Sequence, residues 1–137
     1  HGFMPIVVNV ISSEEYGQWL GDKQVEAAAI KELMAQTFTL DQLMKRGAAV
    51  YARACLACHG ANGEGGLGNA IAGSPVATGD VGAHLEIGIN GVPGSAMQAF
   101  GGQLNDVDMA AVITYQRNAL GNSVGDMVQP SDIAAAR

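Results

Sequence analysis

The stretch Cys55-Leu56-Ala57-Cys58-His59 decides how the rest of the sequence is interpreted. A C-x-x-C-H pentapeptide is the attachment signature of c-type haem. Two thiols three residues apart can reach the two vinyl groups of one porphyrin and form thioethers, and the adjacent histidine then falls under the iron. We therefore predict that Cys55 and Cys58 bind a haem covalently and that His59 is the proximal iron ligand.

Two other chemistries use a C-x-x-C pair. A zinc site needs further ligands, but the chain has no other cysteine and only His59 and His84 nearby. A dithiol redox motif of the thioredoxin type is expected within a βαβ pattern, which the neighbouring sequence lacks. A zinc or dithiol module is the alternative here, and a red colour of the protein would exclude it.

The composition limits both the core and the partners. By our count 22 Ala and 19 Gly, 41 of 137 residues together, carry almost no side chain, so a bound haem would supply apolar mass that the core lacks. The net charge of −6 argues against nucleic acid as a partner, because nucleic-acid binding needs a basic face. No apolar run approaches the roughly 18 residues of a membrane span.

The residues around the motif predict helices separated by loops. A capping box at residues 39–42 begins a helix that leads to Cys55. Residues 60–105 are rich in glycine and predict loops. Asn105 is a typical N-cap for a last helix, which Gly121 would end, and residues 122–137 resemble a tail. Within the two helices, the residues expected on the packing stripes are Leu40, Met44, Gly47 and Tyr51, then Val107, Ala111 and Tyr115.

The first part of the chain has a different character. Residues 3–11 are rich in β-branched side chains and predict a strand. Residues 12–15 form a second capping-box pattern, which predicts a helix as far as Gly21. A second helical segment is expected over residues 25–35. Because the chain begins at His1 with no visible signal peptide, we interpret it as a piece of a longer protein.

The sixth iron ligand is expected downstream of the motif. Met97 lies in a Gly-bounded loop just before the last helix, where it is free to wrap over the opposite haem face. Met109 has a packing position in that helix, and Met127 lies in the tail, so both suit core or surface roles. We predict Met97 as the distal ligand, with His84 as the alternative. An open sixth position would instead indicate a gas-binding protein or a peroxidase.

Residues 39–121 resemble a class I cytochrome c. In that family the first and last helices cross near a glycine and an aromatic placed eight and four residues before the first cysteine, and Gly47 and Tyr51 occupy these places. Val112 and Tyr115 match their partners in the last helix. The resemblance implies an all-α class I cytochrome c fold around one covalent haem c.

One feature departs from many members of that family. Their loop after the haem motif carries a proline whose carbonyl accepts a hydrogen bond from the proximal histidine, and residues 68–73 contain no proline. Because any residue can supply a backbone carbonyl, Asn69 is a candidate for this role.

The sequence His1-Gly2-Phe3-Met4-Pro5 and the strand after it are similar to the end of the copper-site signature in cytochrome c oxidase subunit II. That signature, C-x-x-x-C-x-x-x-H-x-x-M, supplies the soft donors that copper favours. The resemblance implies that His1 and Met4 bind copper in the intact parent. The bridging cysteines would precede His1, so this chain by itself cannot form the dinuclear copper centre.

Together these resemblances predict four segments: residues 1–12 as the incomplete end of a cupredoxin-like copper domain, 13–38 as a helical linker, 39–122 as the cytochrome domain and 123–137 as the tail. They imply a haem-c-containing oxidase subunit II that passes electrons from a donor, such as another cytochrome, to copper for oxygen reduction. Other oxidase subunits would be partners. The proton-translocating parent would be anchored upstream of residue 1, at the periplasmic face of a bacterial inner membrane. The alternative is a free-standing soluble electron carrier.

Overall fold

A computed structural model describes residues 8–137, which form seven helices and no strand. The helices are α1 (Ser13–Met34), α2 (Leu40–Ala54), α3 (Leu56–His59), α4 (Pro75–Thr78), α5 (Val81–Asn90), α6 (Asp106–Asn118) and α7 (Pro130–Ala136). The predicted all-α class is confirmed for this part of the chain. The chain divides after Leu33 into two compact units, each described by itself below. None of the described helices is long and apolar enough to span a bilayer.

Only residues 8–11 of the strand predicted over residues 3–11 lie in the described part of the chain. Residues 3–7 of it, together with His1 and Met4, lie outside the described residues. Residues 8–11 are described and have no regular secondary structure. The copper assignment therefore depends on the sequence alone.

Helix α1 is one continuous helix rather than two segments divided at Gly21. Ser12 caps it, because its hydroxyl accepts from the Glu15 N–H at 3.2 Å and the Glu15 carboxylate accepts from the Ser12 N–H at 2.9 Å. A single interior glycine costs a helix only about 1 kcal/mol and removes no backbone hydrogen bond. The helix formers that follow Gly21 are sufficient to continue it.

The second unit is built on the crossing of α2 and α6. Gly47 of α2 lies directly against the Ala111 carbonyl oxygen of α6, and a Cβ at Gly47 would lie 2.5 Å from the Tyr115 Cβ. The Tyr51 and Tyr115 rings pack beside the crossing with centroids 5.7 Å apart. The helix pair predicted from Gly47 and Tyr51 is therefore present, and its closeness requires a residue without a side chain.

The buried stripe of α2 differs from the predicted one. Leu43, Gly47, Val50 and Tyr51 are buried, whereas Leu40 is exposed. Eleven of the thirteen residues of α6 are buried, so this helix is the centre of the unit rather than an amphipathic edge.

Residues 60–105 are not all loop, because they contain the ten-residue helix α5. The Asp80 side chain caps it by accepting from the Ala83 N–H at 2.8 Å. His84 lies in this helix, buried, with its Nε2 2.9 Å from Gln116 Oε1 of α6. The loop predicted over residues 60–105 is therefore interrupted by a helix at His84. The glycines at the two ends of α5 concealed the helical pattern.

Residues 123–137 contain α7 and contribute to the core, so they are more than a tail. Val128 and Ile133 are buried in the same apolar cluster as α2 and α6. The Gln129 amide bonds both backbone groups of Phe38, at 2.9 Å each, and so fixes the segment before α2 to the start of α7. The structural unit extends to the end of the chain.

The α2–α6 crossing predicts the effect of one methyl group. Gly47→Ala should destabilise the protein by about 3 kcal/mol, because the added Cβ meets backbone that no rotamer change can move. Gly102→Ala is the matched control, since a Cβ there has open space around it. Thermal unfolding measures both variants, and equal melting temperatures would contradict the proposed crossing constraint.

Burial of His84 predicts a pH dependence of stability. Burial, opposed by the bond to Gln116, lowers the pKa of His84 below its ordinary 6.5. Below about pH 6.5 the unfolded chain then binds more protons than the folded chain, so stability should fall as the pH falls. His84→Gln removes this titration, and its unfolding free energy should depend less steeply on pH in that range. An unchanged slope in chemical denaturation would show that His84 does not titrate differently on folding.

Candidate haem site

The C-x-x-C-H motif forms a single tight turn at the end of α2. Helix α2 ends at Ala54, and Cys55 is its C-cap residue. The Cys55 N–H donates to the Tyr51 carbonyl at 2.9 Å. The Cys55 carbonyl then accepts from the N–H groups of Cys58, at 3.1 Å, and of His59, at 3.0 Å. These bonds place two free thiols and an imidazole on one turn of helix.

A backbone carbonyl fixes the His59 ring. Its Nδ1 lies 2.7 Å from the Asn69 carbonyl oxygen, which can only accept, so Nδ1 carries the proton and Nε2 presents a lone pair. Gly68 lies against the ring, where a Cβ would be 2.9 Å from the imidazole Cε1. The loop is anchored by the Gly68 N–H, which donates to the Cys58 carbonyl at 2.8 Å. Asn69 therefore fills the place of the missing proline carbonyl.

The two thiols have different surroundings. Cys58 is exposed, whereas Cys55 is half-buried and packs against the core. Burial, together with the neighbouring Cys58, raises the pKa of Cys55 to about 11. Gln116 of α6 donates from its amide to the Cys55 sulfur at 3.8 Å. The first cysteine of the motif is thus a neutral thiol with a polar partner.

Met97 lies in a loop attached to the C-terminal end of α5. The Val92 N–H donates to the Met97 carbonyl at 2.9 Å, and the Met97 N–H donates to the Ser95 hydroxyl at 3.1 Å. Gly91, with φ of +70°, makes this loop possible, because a Cβ there would lie 2.6 Å from the Met97 carbonyl oxygen. The Met97 side chain is partly buried.

A cleft of about 340 Å³ lies beside the proposed site, and its lining includes residues next to Cys55 and to Met97 but neither residue itself. One wall is Arg53 and Ala54, immediately before Cys55, and the other is formed by residues that follow Met97. These are Gln98, Phe100, Gln103 and Leu104. The end of α2 and the segment that follows Met97 therefore line one cleft.

This donor set fits a covalently attached haem. Two thiols on one turn can accept two vinyl groups, and an imidazole with a free Nε2 beside them is an axial iron donor. Leu56 within the motif and Leu67 after it are exposed apolar side chains. The described residues contain no cluster of three or more His, Cys, Asp or Glu side chains that could hold another metal ion.

Some site residues were not identifiable from the sequence. Gln116 is 61 residues from Cys55, and His84 is 32 residues from Gln116, so no local sequence pattern relates these groups. Gly91 gave a usable signal, since a glycine at the end of an apolar helical segment is typical of a C-terminal stop. Its closeness to Met97 required the structure.

Comparison with known proteins agrees with a c-type cytochrome domain. Residues 42–115, more than half of the chain, match the family described as cytochrome c oxidase, cbb3-type, subunit III. A solved structure, dihydro-haem d1 dehydrogenase NirN in complex with DHE, is similar with 32% identity and a TM-score of 0.50. The match covers 54% of this chain but only 16% of that one. No match is found among curated proteins. The chain belongs to the family of cbb3-type cytochrome c oxidase subunit III, and its helical unit is a c-type cytochrome domain with haem c as its cofactor.

Proposed function

We propose that this chain is an electron-transfer module with haem attached to Cys55 and Cys58 and with His59 and Met97 as axial iron ligands. The observation that carries the proposal is the His59 ring, whose Nδ1 is occupied by the Asn69 carbonyl at 2.7 Å beside the two thiols. Membership of a c-type cytochrome family supports electron transfer as the activity. When bound, the haem iron supplies one-electron chemistry by changing between Fe(III) and Fe(II).

The two thiols provide the attachment. Each cysteine would hold the haem through one thioether, in which sulfur bonds one vinyl carbon and the thiol hydrogen goes to the other. This addition would need no oxidant.

The axial pair sets the potential. The Asn69 carbonyl orients His59 and makes its Nε2 a better donor. A thioether sulfur from Met97 is a soft ligand that favours Fe(II), and a His/Met pair raises the reduction potential. The hydrogen bond from the Val92 N–H to the Met97 carbonyl limits how far that loop can move.

We also propose that the chain is the C-terminal part of a haem-c-containing oxidase subunit II. It would pass electrons from a donor, such as another cytochrome, to a dinuclear copper centre that includes His1 and Met4. The support is the H-x-x-M-P sequence followed by the helical segment and the cytochrome domain. The parent would be anchored upstream in the bacterial inner membrane, facing the periplasm, among other oxidase subunits.

The sequence of the parent gene tests this assignment. Two membrane spans and a C-x-x-x-C placed so that His1 follows its second cysteine by four residues should precede the chain. If instead a signal peptide directly precedes His1, the chain is a free-standing electron carrier, and the axial assignment is unaffected.

Covalent attachment predicts how haem partitions between protein and solvent on extraction. After treatment with acidified acetone, the haem should remain with the precipitated protein, because thioethers resist acid. The double variant Cys55→Ala, Cys58→Ala should release any haem that it binds into the solvent. Absorbance of the two fractions measures this, and a coloured solvent from the unaltered protein would refute the attachment.

Met97 as the distal ligand predicts an open sixth position on its removal. Met97→Ala should let CO bind the reduced iron and should lower the reduction potential, because the soft sulfur is lost. Met97→His should keep six ligands and still lower the potential. Axial ligand identity spans about 0.8 V across haem proteins, so potentiometry resolves the change.

The control is Met127→Ala, which removes an exposed methionine by the same substitution. Its spectrum and potential should match those of the unaltered protein. If Met97→Ala leaves both unchanged while His84→Ala changes both, His84 is the distal ligand and the proposed one is wrong.

A further inference from the structure

Cys55 is the end of a buried polar chain that the electron-transfer assignment does not use. The Gln116 amide nitrogen lies 3.8 Å from the Cys55 sulfur, and its amide oxygen lies 2.9 Å from His84 Nε2. Gln116 and His84 are both buried. Their helices, α6 and α5, are packed elements of the fold rather than mobile loops, so the chain of contacts is held from both ends.

The hydrogen-bonding capacity of the groups fixes the direction of this chain. A carbonyl oxygen can only accept, so Oε1 of Gln116 facing His84 requires the proton on His84 Nε2. The amide NH₂ must then point at Cys55. His84 Nδ1 has no partner among the described residues, in keeping with a neutral ring protonated on Nε2 alone.

Once haem is attached, only this orientation of the Gln116 amide gives the Cys55 sulfur a hydrogen-bond partner. A free thiol could donate to an amide oxygen, but a thioether sulfur has no hydrogen and can only accept. While His84 Nε2 carries the proton, Gln116 cannot turn its oxygen toward the sulfur without losing this buried hydrogen bond. The amide orientation that the bond to His84 favours is therefore the one in which Gln116 can donate to the thioether sulfur of the attached form.

We propose that Gln116, oriented by His84, is a positioning residue that donates a hydrogen bond to the Cys55 thioether sulfur and raises the reduction potential of the haem. This inference rests on the proposed attachment at Cys55. The amide NH₂ is the positive end of the side-chain dipole and lies 3.8 Å from the Cys55 sulfur, so it would disfavour the extra positive charge of a ferric haem attached there. Hydrogen bonding around the cofactor is one of the means by which a protein tunes a haem.

Four variants of the full chain with haem bound test the proposal by potentiometry. Gln116→Leu removes the donor at similar volume, and its potential should fall. His84→Leu should give a smaller fall, because the amide remains but is free to turn. The double variant should match Gln116→Leu alone, since His84 acts only through Gln116.

Thr114→Val is the matched control, because Thr114 is a buried polar residue of α6 whose hydroxyl bonds Val128 instead. It should lower the melting temperature and leave the potential unchanged. If Gln116→Leu does not retain its fold, Gln116→Asn shortens the amide by one methylene and should lower the potential in the same way.

Three results would overturn the proposal: an unchanged potential in the Gln116 variants, additive shifts from Gln116 and His84, or an equal shift in Thr114→Val. Each of these can be seen with haem still attached. Loss of covalent haem from the unaltered protein would instead refute the proposed function, so the two failures are distinguishable by acidified-acetone extraction.

Discussion

The close crossing of α2 and α6 at Gly47 is the constraint on which the site depends. Because Gly47 has no side chain, the Ala111 carbonyl can lie against its backbone, and the ends of both helices are set by that contact. The C-terminal end of α2 carries the haem motif, and the matching turn of α6 carries Gln116 beside Cys55. A residue with a Cβ at position 47 would displace both ends together.

The buried position of α6 also explains its charged residues. Asp108 is largely buried and bonds Arg46 at 2.6 Å and Arg53 at 2.5 Å, so the acidic first turn of α6 is tied to α2. Arg117 at the other end is buried and bonds both Asp126 carboxylate oxygens, and this contact lowers the pKa of Asp126. A buried charge left without its partner is costly, so each pair also fixes how α6 sits in the unit.

Local patterns identified the parts of the fold whose causes are local. The capping boxes of α1 and α2, the Asn105 cap of α6 and the haem motif each lie within a few residues of sequence. Helix α5 and helix α7 were missed, because the burial of His84 and Ile133 depends on residues far along the chain. The Asn69 carbonyl could be suggested but not selected, since every residue of that loop has one. The His84–Gln116–Cys55 chain could not be found from the sequence, because nothing local distinguishes a buried glutamine from an exposed one.

An electron-transfer site needs axial donors that stay in place when the iron changes charge. Under the proposed assignment, both donors are held by backbone groups: His59 by the Asn69 carbonyl and Met97 through its own carbonyl by the Val92 N–H. Both anchors are backbone groups, which have no side-chain torsions that could change when the charge of the iron changes. Gln116, the side-chain partner of the Cys55 sulfur, is itself held by His84. The same contacts that position the proposed donors would therefore also keep small the rearrangement that each electron transfer requires.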